Sequence, residues 1–203
     1  MTLFRRPLDI LRSDPRALVL LLVLIFGALL LGMGTGLLFP GLELPTLVAG
    51  GVSDELVTTM VTNPWLFGTV ILLINLFVAA LAGIVLPSLV VPFLGIPVIA
   101  VYMFNVGVSI APSDRTAAIV LIPHSLTLII ELTGYALAMF GAYQLGRGWL
   151  RPAYLGASTR RHAYLIGLRR LAALALPTVA ILVIGAYYEA FSVVYLLPQL
   201  LTA

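Results

Sequence analysis

The chain contains no cysteine, and this absence excludes several kinds of chemistry. Disulfide bonds, thiol catalysis, cysteine-ligated zinc and iron–sulfur clusters all require that residue. The sequence also has no H-E-x-x-H or similar metal-binding spacing and no glycine-rich loop of the kind that cradles phosphates. We therefore predict that the protein is not an enzyme and that it holds no cofactor and no metal.

Charged residues are also scarce, at 9% of 203 residues, whereas 62% of the residues are hydrophobic. Soluble domains carry about 25% charged residues and about 45–50% apolar ones. A surface that faces water cannot be built from so little charge, so lipid must solvate most of the exterior. The sequence predicts an all-α, polytopic transmembrane helical bundle in which residues 1–203 form a single transmembrane domain.

About five segments are long and apolar enough to cross a bilayer as helices, which takes about 20 residues each. We predict these spans at Ala17–Phe39, Trp65–Leu86, Leu89–Ile110, His124–Leu145 and Leu171–Tyr188. Pro123 interrupts the apolar stretch at the fourth span, which predicts a short half-helix or re-entrant segment over 116–122. The apolar tail over 191–201 is too short for a sixth crossing and is expected at the interface or folded back into the bundle.

Lysine is absent too, and ten of the eleven arginines fall in two blocks. One block precedes the first span and the other occupies 147–170, whereas 40–63 carries three acids and no base. Because basic loops stay in the cytoplasm, the N-terminus and loop 147–170 are predicted to be cytoplasmic. Loop 40–63 and the C-terminus are then extracytoplasmic. We interpret the arginines as topology signals that contact lipid headgroups. We therefore predict no nucleic-acid binding.

A few polar side chains interrupt the apolar segments: Asn75, Asn105, His124, Glu131 and Glu189. An ionised carboxylate at the membrane centre costs about 2.5–3.5 kcal/mol, so Glu131 should face the bundle interior. His124 lies seven residues earlier and therefore shares its helix face. We predict that these residues form an intramembrane polar site. It either serves a proton, an ion or a peptide, or holds the helices together by hydrogen bonds.

Small residues in the spans predict close helix packing. Gly32 and Gly36 form a G-x-x-x-G motif, and Gly134 is followed by alanines at four-residue steps. Such residues allow two helix backbones to approach each other closely in a membrane.

Several motifs resemble the stage II sporulation protein M family of integral membrane proteins, which has a Pro-His and a Glu in one membrane helix. The matching stretch here begins at Pro123-His124 and reaches Glu131. The family also has membrane asparagines with a nearby glycine and an acid followed by an aromatic, as at Asn105-Val106-Gly107 and Glu189-Ala190-Phe191. The resemblance covers about 63–197. It departs from the family after His124, where Ser125 stands in place of the more frequent glycine and Glu131 follows seven residues on rather than four.

The resemblance implies a non-enzymatic role. The sporulation member is a membrane scaffold that recruits peptidoglycan-degrading partners, and other members accompany genes for circular-bacteriocin export. We therefore expect an integral membrane scaffold or an accessory subunit of a larger membrane complex. The alternative is a component of a transporter or peptide exporter that uses the intramembrane polar site. The expected partners are the lipid bilayer and other membrane or envelope proteins. The sequence is also compatible with a homo-oligomer.

Overall fold

A computed structural model describes residues 2–42 and 62–202 of the chain, and in these ranges it is helical throughout apart from turns. The predicted all-α bundle is therefore confirmed, and most of the predicted loop 40–63 lies outside the described residues. The helices are α1 (Thr2–Ser13), α2 (Pro15–Leu38), α3 (Pro64–Val90), α4 (Gly95–Ser109), α5 (Arg115–Leu150) and α6 (Arg160–Thr202). π-Helical turns run through Ile74–Val85 of α3 and Ser192–Leu196 of α6, and a 3-10 turn at Pro152–Leu155 links α5 to α6.

Four of the described helices, α2, α3, α5 and α6, are long and apolar enough to cross a membrane. The helix at the third predicted span, α4, has only 15 residues and is about 22 Å long. That is less than the roughly 30 Å of a typical hydrocarbon core. The third predicted span is thus a helix too short to cross that thickness by itself, and it packs against the long helices.

The turn that shortens α4 lies at 91–94, later than the predicted boundary between the second span, which ends at Leu86, and the third, which begins at Leu89. Helix α3 continues through Pro87 to Val90, and Phe93 then adopts a positive φ of 68°. The Ser88 hydroxyl accepts a hydrogen bond of 3.0 Å from the backbone N–H of Gly95, the first residue of α4. This bond satisfies a free donor at the new helix start, so the turn forms after Ser88.

The re-entrant segment expected over 116–122 is not found, because α5 runs without a break from Arg115 to Leu150 with Pro123 inside it. Proline removes one backbone hydrogen bond, which membrane helices tolerate when neighbouring helices support the chain. That support comes from α6, whose last turns continue alongside the first turns of α5. The predicted short tail is part of this same long helix.

Two helices, α2 and α3, begin at a capping side chain. Asp14 accepts a hydrogen bond of 3.2 Å from Ala17 N–H at the start of α2. Asn63 accepts bonds from the backbone N–H groups of Trp65 (3.1 Å) and Leu66 (3.2 Å) at the start of α3. Both caps precede a proline, which suits the first turn of a helix.

Helices α5 and α6 form an antiparallel pair that makes the most extensive helix contact among the described residues. Near the middle of α5, a Cβ on Gly134 would come within 3.0 Å of a methyl group of Leu182 on α6. Towards the other end of the pair, Gly141 lies against Leu171. The absence of side chains at these glycines lets α6 lie close to α5.

Helices α2 and α4 pack in parallel, backbone against backbone. A Cβ on Gly32 would overlap the carbonyl oxygen of Phe104, and Gly107 lies against the backbone of α2 in return. One turn further, a Cβ on Gly36 would overlap the carbonyl oxygen of Val108. Both glycines of the G-x-x-x-G motif therefore lie in this interface.

We expect Gly32→Ala to destabilise the bundle by about 1–3 kcal/mol, because the added methyl group must push α4 away from α2. Gly34→Ala is the matched control in the same helix, since nothing lies within 4 Å of its Cβ position. The control should unfold at or slightly above the wild-type temperature because alanine favours helix. Thermal unfolding in detergent measures both variants, and equal unfolding temperatures for the two would contradict the packing described here.

Candidate functional site

Polar side chains from α3, α5 and α6 meet in a cavity of about 200 Å³ that α4 also lines. Four of the five predicted site residues lie in its wall: Asn75, His124, Glu131 and Glu189. His124 and Glu131 are on α5, as their shared helix face predicts, and Asn75 and Glu189 come from α3 and α6. The fold thus assembles a polar site from three separate parts of the chain.

The inner part of this cavity contains a hydrogen bond between two buried side chains. The amide nitrogen of Asn75 donates to Oε1 of Glu131. Glu131 is 7% exposed and Asn75 is 9% exposed, so neither side chain relies on bulk solvent. A buried carboxylate needs such a partner, because an unsatisfied polar group in hydrocarbon is costly.

The outer part of the cavity contains a second pair. Nδ1 of His124 lies 3.2 Å from Oε1 of Glu189. These side chains are 23% and 17% exposed, so this pair is more accessible than the Asn75–Glu131 pair. The cavity therefore leads from a partly exposed mouth at His124 and Glu189 to a buried end at Glu131.

Two tyrosines that were not predicted from the sequence also line the cavity. Tyr135 is 2% exposed and lies one helical turn after Glu131, and Tyr102 reaches the cavity from α4. The four-residue spacing of Glu131 and Tyr135 on one helix is a signal that could have identified Tyr135. No comparable signal identifies Tyr102, because its position depends on how α4 packs.

Asn105, the fifth predicted site residue, does not line this cavity and instead lines another one beside the ends of α2 and α4. The reason is helical geometry. The side chains of α4 that face the polar cavity are Tyr102, Met103 and Val106. Residue 105 points about 100° away from the average direction of these three. Asn105 is thus separated from the four residues that meet.

Thr127 lies between His124 and Glu131 in the sequence, but it does not bridge them. Its side chain is fully buried, and its hydroxyl has no hydrogen-bond partner among the described residues. His124 and Glu131 are connected only through the cavity that both of them line.

The size of the cavity limits what it can hold. Small-molecule sites usually enclose about 300–1,000 Å³, more than is present here. A proton, water molecules or a small ion fit into 200 Å³, whereas a peptide does not. Among residues 2–42 and 62–202, no three His, Asp or Glu side chains are close enough together to hold a metal ion.

A second polar cluster lies at the opposite end of the bundle, where α2 begins and α5 ends. Oδ2 of Asp14 accepts hydrogen bonds from the Arg147 guanidinium (2.6 Å), the Tyr143 hydroxyl (3.1 Å) and the Tyr154 hydroxyl (3.2 Å). The Arg147 guanidinium also lies over the Tyr154 ring, 3.9 Å from its centroid. We call these four residues the Asp14 cluster.

Gln144 extends this cluster to α1 and α6. It is fully buried, and its amide nitrogen donates to the hydroxyls of Tyr154 (3.1 Å) and Ser13 (3.4 Å). Its amide oxygen accepts a bond of 2.9 Å from Arg170 on α6. The sequence alone does not indicate this cluster, because residues so far apart in the chain meet only after folding.

The Asp14 cluster stabilises the ionised carboxylate. Burial alone raises the pKa of Asp14, but hydrogen bonds from Ala17 N–H, Tyr143 and Tyr154 act in the opposite direction. Together with the charge of Arg147 they hold the pKa of Asp14 below its usual value. A carboxyl with a depressed pKa stabilises the fold above its unfolded pKa of about 3.9. That stabilisation is lost as the pH falls through the folded pKa.

We expect Asp14→Asn to lower the stability of the bundle at neutral pH by about 1–3 kcal/mol, because the Arg147 charge loses its partner. The difference from wild type should shrink as the pH falls below about 4. Asp114→Asn is the matched control, since Asp114 caps α5 through Ala117 and stands outside the cluster. Asparagine caps a helix as well as aspartate does. Thermal unfolding across pH measures both variants, and equal losses in the two would contradict a specific role for Asp14.

No family model matches the chain, and neither a curated protein nor a solved structure matches it. The resemblance to the stage II sporulation protein M family therefore stays a prediction from the sequence motifs. Roles for the cavity and for the Asp14 cluster are assigned from their contacts in this structure.

Proposed function

We propose that the protein is an integral membrane scaffold or accessory subunit of a larger envelope complex, similar to the stage II sporulation protein M family. The supporting observation is that its intramembrane polar side chains pair with one another across helices. Asn75 bonds to Glu131, and His124 lies against Glu189. Paired polar groups of this kind hold membrane helices in a fixed arrangement.

The packing of the helices supports the same role. Backbones meet without intervening side chains at Gly32 and Gly107, and Gly134 lies against Leu182. The polar cavity between the helices is too small for a peptide substrate. A bundle whose helices pack this closely is suited to presenting its outer surface to partners.

That outer surface is strongly apolar. Large side chains on the outside of the helices are more than half exposed, among them Leu20, Leu31, Phe77, Val101 and Ile184. We infer that lipid tails cover most of this surface. Transmembrane segments of partner proteins, or of a second copy of the chain, would cover the rest.

We infer the orientation from the two arginine blocks. The bond between Asp14 and Arg147 brings the start of α2 to the end of α5, so both blocks lie at one end of the bundle. By the positive-inside rule this end is cytoplasmic. The turn at Ala111–Ser113 and the C-terminal end of α6 are then extracytoplasmic.

The alternative is a component of a transporter or exporter. It is favoured by one observation, which is that two carboxylates and a histidine line the same cavity among apolar helices. Ionisable residues within membrane spans often mark proton or ion pathways. Glu131 would then be the central residue, since it lies at the buried end of the cavity.

A flux assay separates the two roles. Vesicles that contain the purified chain should pass protons and alkali cations no faster than protein-free vesicles, because the scaffold has no transport cycle. Gentle purification in mild detergent should retain an envelope protein with the chain in a fixed ratio. Flux that disappears in Glu131→Gln, which keeps an acceptor for Asn75, would contradict the scaffold and support the transporter.

The orientation is testable by labelling, because the chain has no native cysteine. Ser113→Cys and Ser158→Cys are a matched pair, since both serines are exposed and lie in turns at opposite ends of the bundle. A membrane-impermeant maleimide added to intact cells should label Ser113→Cys. It should label Ser158→Cys only after the membrane is permeabilised. The reverse pattern would overturn the inferred orientation.

A further inference from the structure

Helices α3 and α6 separate from each other toward the end of the bundle that holds the two arginine blocks. They pack closely along Pro64–Leu73 of α3, whereas few contacts with α6 remain along Ile74–Val85. Helix α5 lies beneath the gap and forms its floor. We call this gap the α3–α6 groove, and it shares no lining residue with the polar cavity at Glu131.

Alanines create the space in the α3–α6 groove. Ala80 and Ala138 line it from α3 and α5, and Ala172 and Ala175 line it from α6. The cavity measures about 270 Å³, and Thr178 is the one lining residue with a polar side chain. Both alanines of α6 are exposed, so the groove opens sideways to the surrounding hydrocarbon. An apolar space of this kind is filled, because its lining loses dispersion contacts when it is empty.

The groove has a polar end. One helical turn further along α3 and α6, a second cavity of about 330 Å³ has Ser88, Trp149 and Tyr164 in its wall. Tyr164 reaches across from α6, and its hydroxyl donates a hydrogen bond of 3.2 Å to the carbonyl oxygen of Leu89 on α3. The Trp149 ring packs edge-on against Tyr164, with 5.6 Å between the ring centroids. Tryptophan and tyrosine are typical of the level of lipid headgroups, so this end of the groove lies at the membrane surface.

A positive charge stands just beyond this polar end. Arg161 precedes Tyr164 by three residues and Leu168, which lines the groove, by seven, so the three residues share one face of α6. Arg161 is exposed, and no acidic side chain in the described part of the chain pairs with it. Arg147, by contrast, is neutralised by Asp14. The charge of Arg161 is therefore available to an anionic headgroup.

We propose that the α3–α6 groove binds one acyl chain of an anionic phospholipid, whose headgroup lies beside Arg161. An apolar cavity of about 150 Å³ holds a benzene molecule, so one of about 270 Å³ holds roughly ten carbon atoms of an acyl chain. The site has the order of an amphiphile, since it is apolar along the alanines, polar at Tyr164 and cationic at Arg161. This order favours a phospholipid over the helix of a partner protein, which would need neither the polar end nor the cation.

The bound lipid stabilises the bundle, because its acyl chain fills the space between α3 and α6 and contacts both helices. Thermal unfolding of the purified chain in detergent, with added dioleoyl phosphatidylglycerol, measures this effect. We expect a rise of about 3–6 °C at roughly ten times the dissociation constant, relative to detergent alone. Dioleoyl phosphatidylcholine has the same acyl chains without the net charge, and it should need a roughly fivefold higher concentration for the same rise. Glycerol phosphate, which has no acyl chain, should produce no rise.

Two variants separate the acyl chain from the headgroup. Ala175→Phe fills the groove and should abolish the response to both phospholipids. Ala180→Phe is its matched control and should keep the response, since Ala180 is another exposed alanine of α6 that does not line the groove. Arg161→Gln should remove the preference for phosphatidylglycerol. Arg115→Gln should keep it, because Arg115 is an exposed arginine in the first turn of α5, at the other end of the bundle.

Tryptophan fluorescence reports on the site directly. In a Trp65→Phe background, Trp149 is the only tryptophan of the chain. Phosphatidylglycerol with brominated acyl chains should quench Trp149 more strongly than brominated phosphatidylcholine at the same low concentration. Arg161→Gln should remove this difference, and Ala175→Phe should weaken the quenching by both lipids.

Equal responses to phosphatidylglycerol in Ala175→Phe and Ala180→Phe would overturn the proposal. So would a preference for phosphatidylglycerol that survives in Arg161→Gln. Loss of a co-purified protein in Ala175→Phe, with the lipid response unchanged, would also overturn it and assign the groove to the helix of a partner. These outcomes leave the scaffold role standing, because that role is tested separately by the flux assay.

Discussion

Hydrocarbon offers no hydrogen bonds, and this constraint decides where each polar group of the protein lies. A strongly polar side chain that enters the membrane is costly unless it finds a partner within the protein. Asn75 and Glu131 meet for this reason, and so do His124 and Glu189. Because each pair joins side chains from two different helices, satisfying these groups also fixes how α3, α5 and α6 are arranged.

Close packing of the helices against one another also stabilises the bundle. Lipid tails are as apolar as the helix surfaces, so burial of apolar side chains drives helix association only weakly in a bilayer. Contacts between backbones matter more, as at Gly32 and Gly107, where α2 and α4 meet without intervening side chains. The short helix α4 depends on this interface, because it is not long enough to span the membrane by itself.

The two polar clusters differ in the side chains that are paired with their carboxylates. The Asp14 cluster surrounds one carboxylate with an arginine and two tyrosine hydroxyls, so its charge and hydrogen bonds are balanced. In the cavity at Glu131, the two acids are paired instead with an amide and a histidine, and no arginine lines the wall. The Asp14 cluster joins the start of α2 to the end of α5, whereas the cavity pairs join α5 to α3 and to α6.

The sequence by itself determined that the chain is a helical membrane bundle, because scarce charge and long apolar runs exclude a water-facing surface. It also determined two helix starts, since the caps Asp14 and Asn63 act on backbone groups a few residues away. Only the tertiary structure decided that α5 continues through Pro123, because that depends on α6 lying alongside. The same is true of the separation of Asn105 from Glu131, and of the bond between Asp14 and Arg147. These features follow from contacts between residues far apart in the chain, so the local sequence pattern does not predict them.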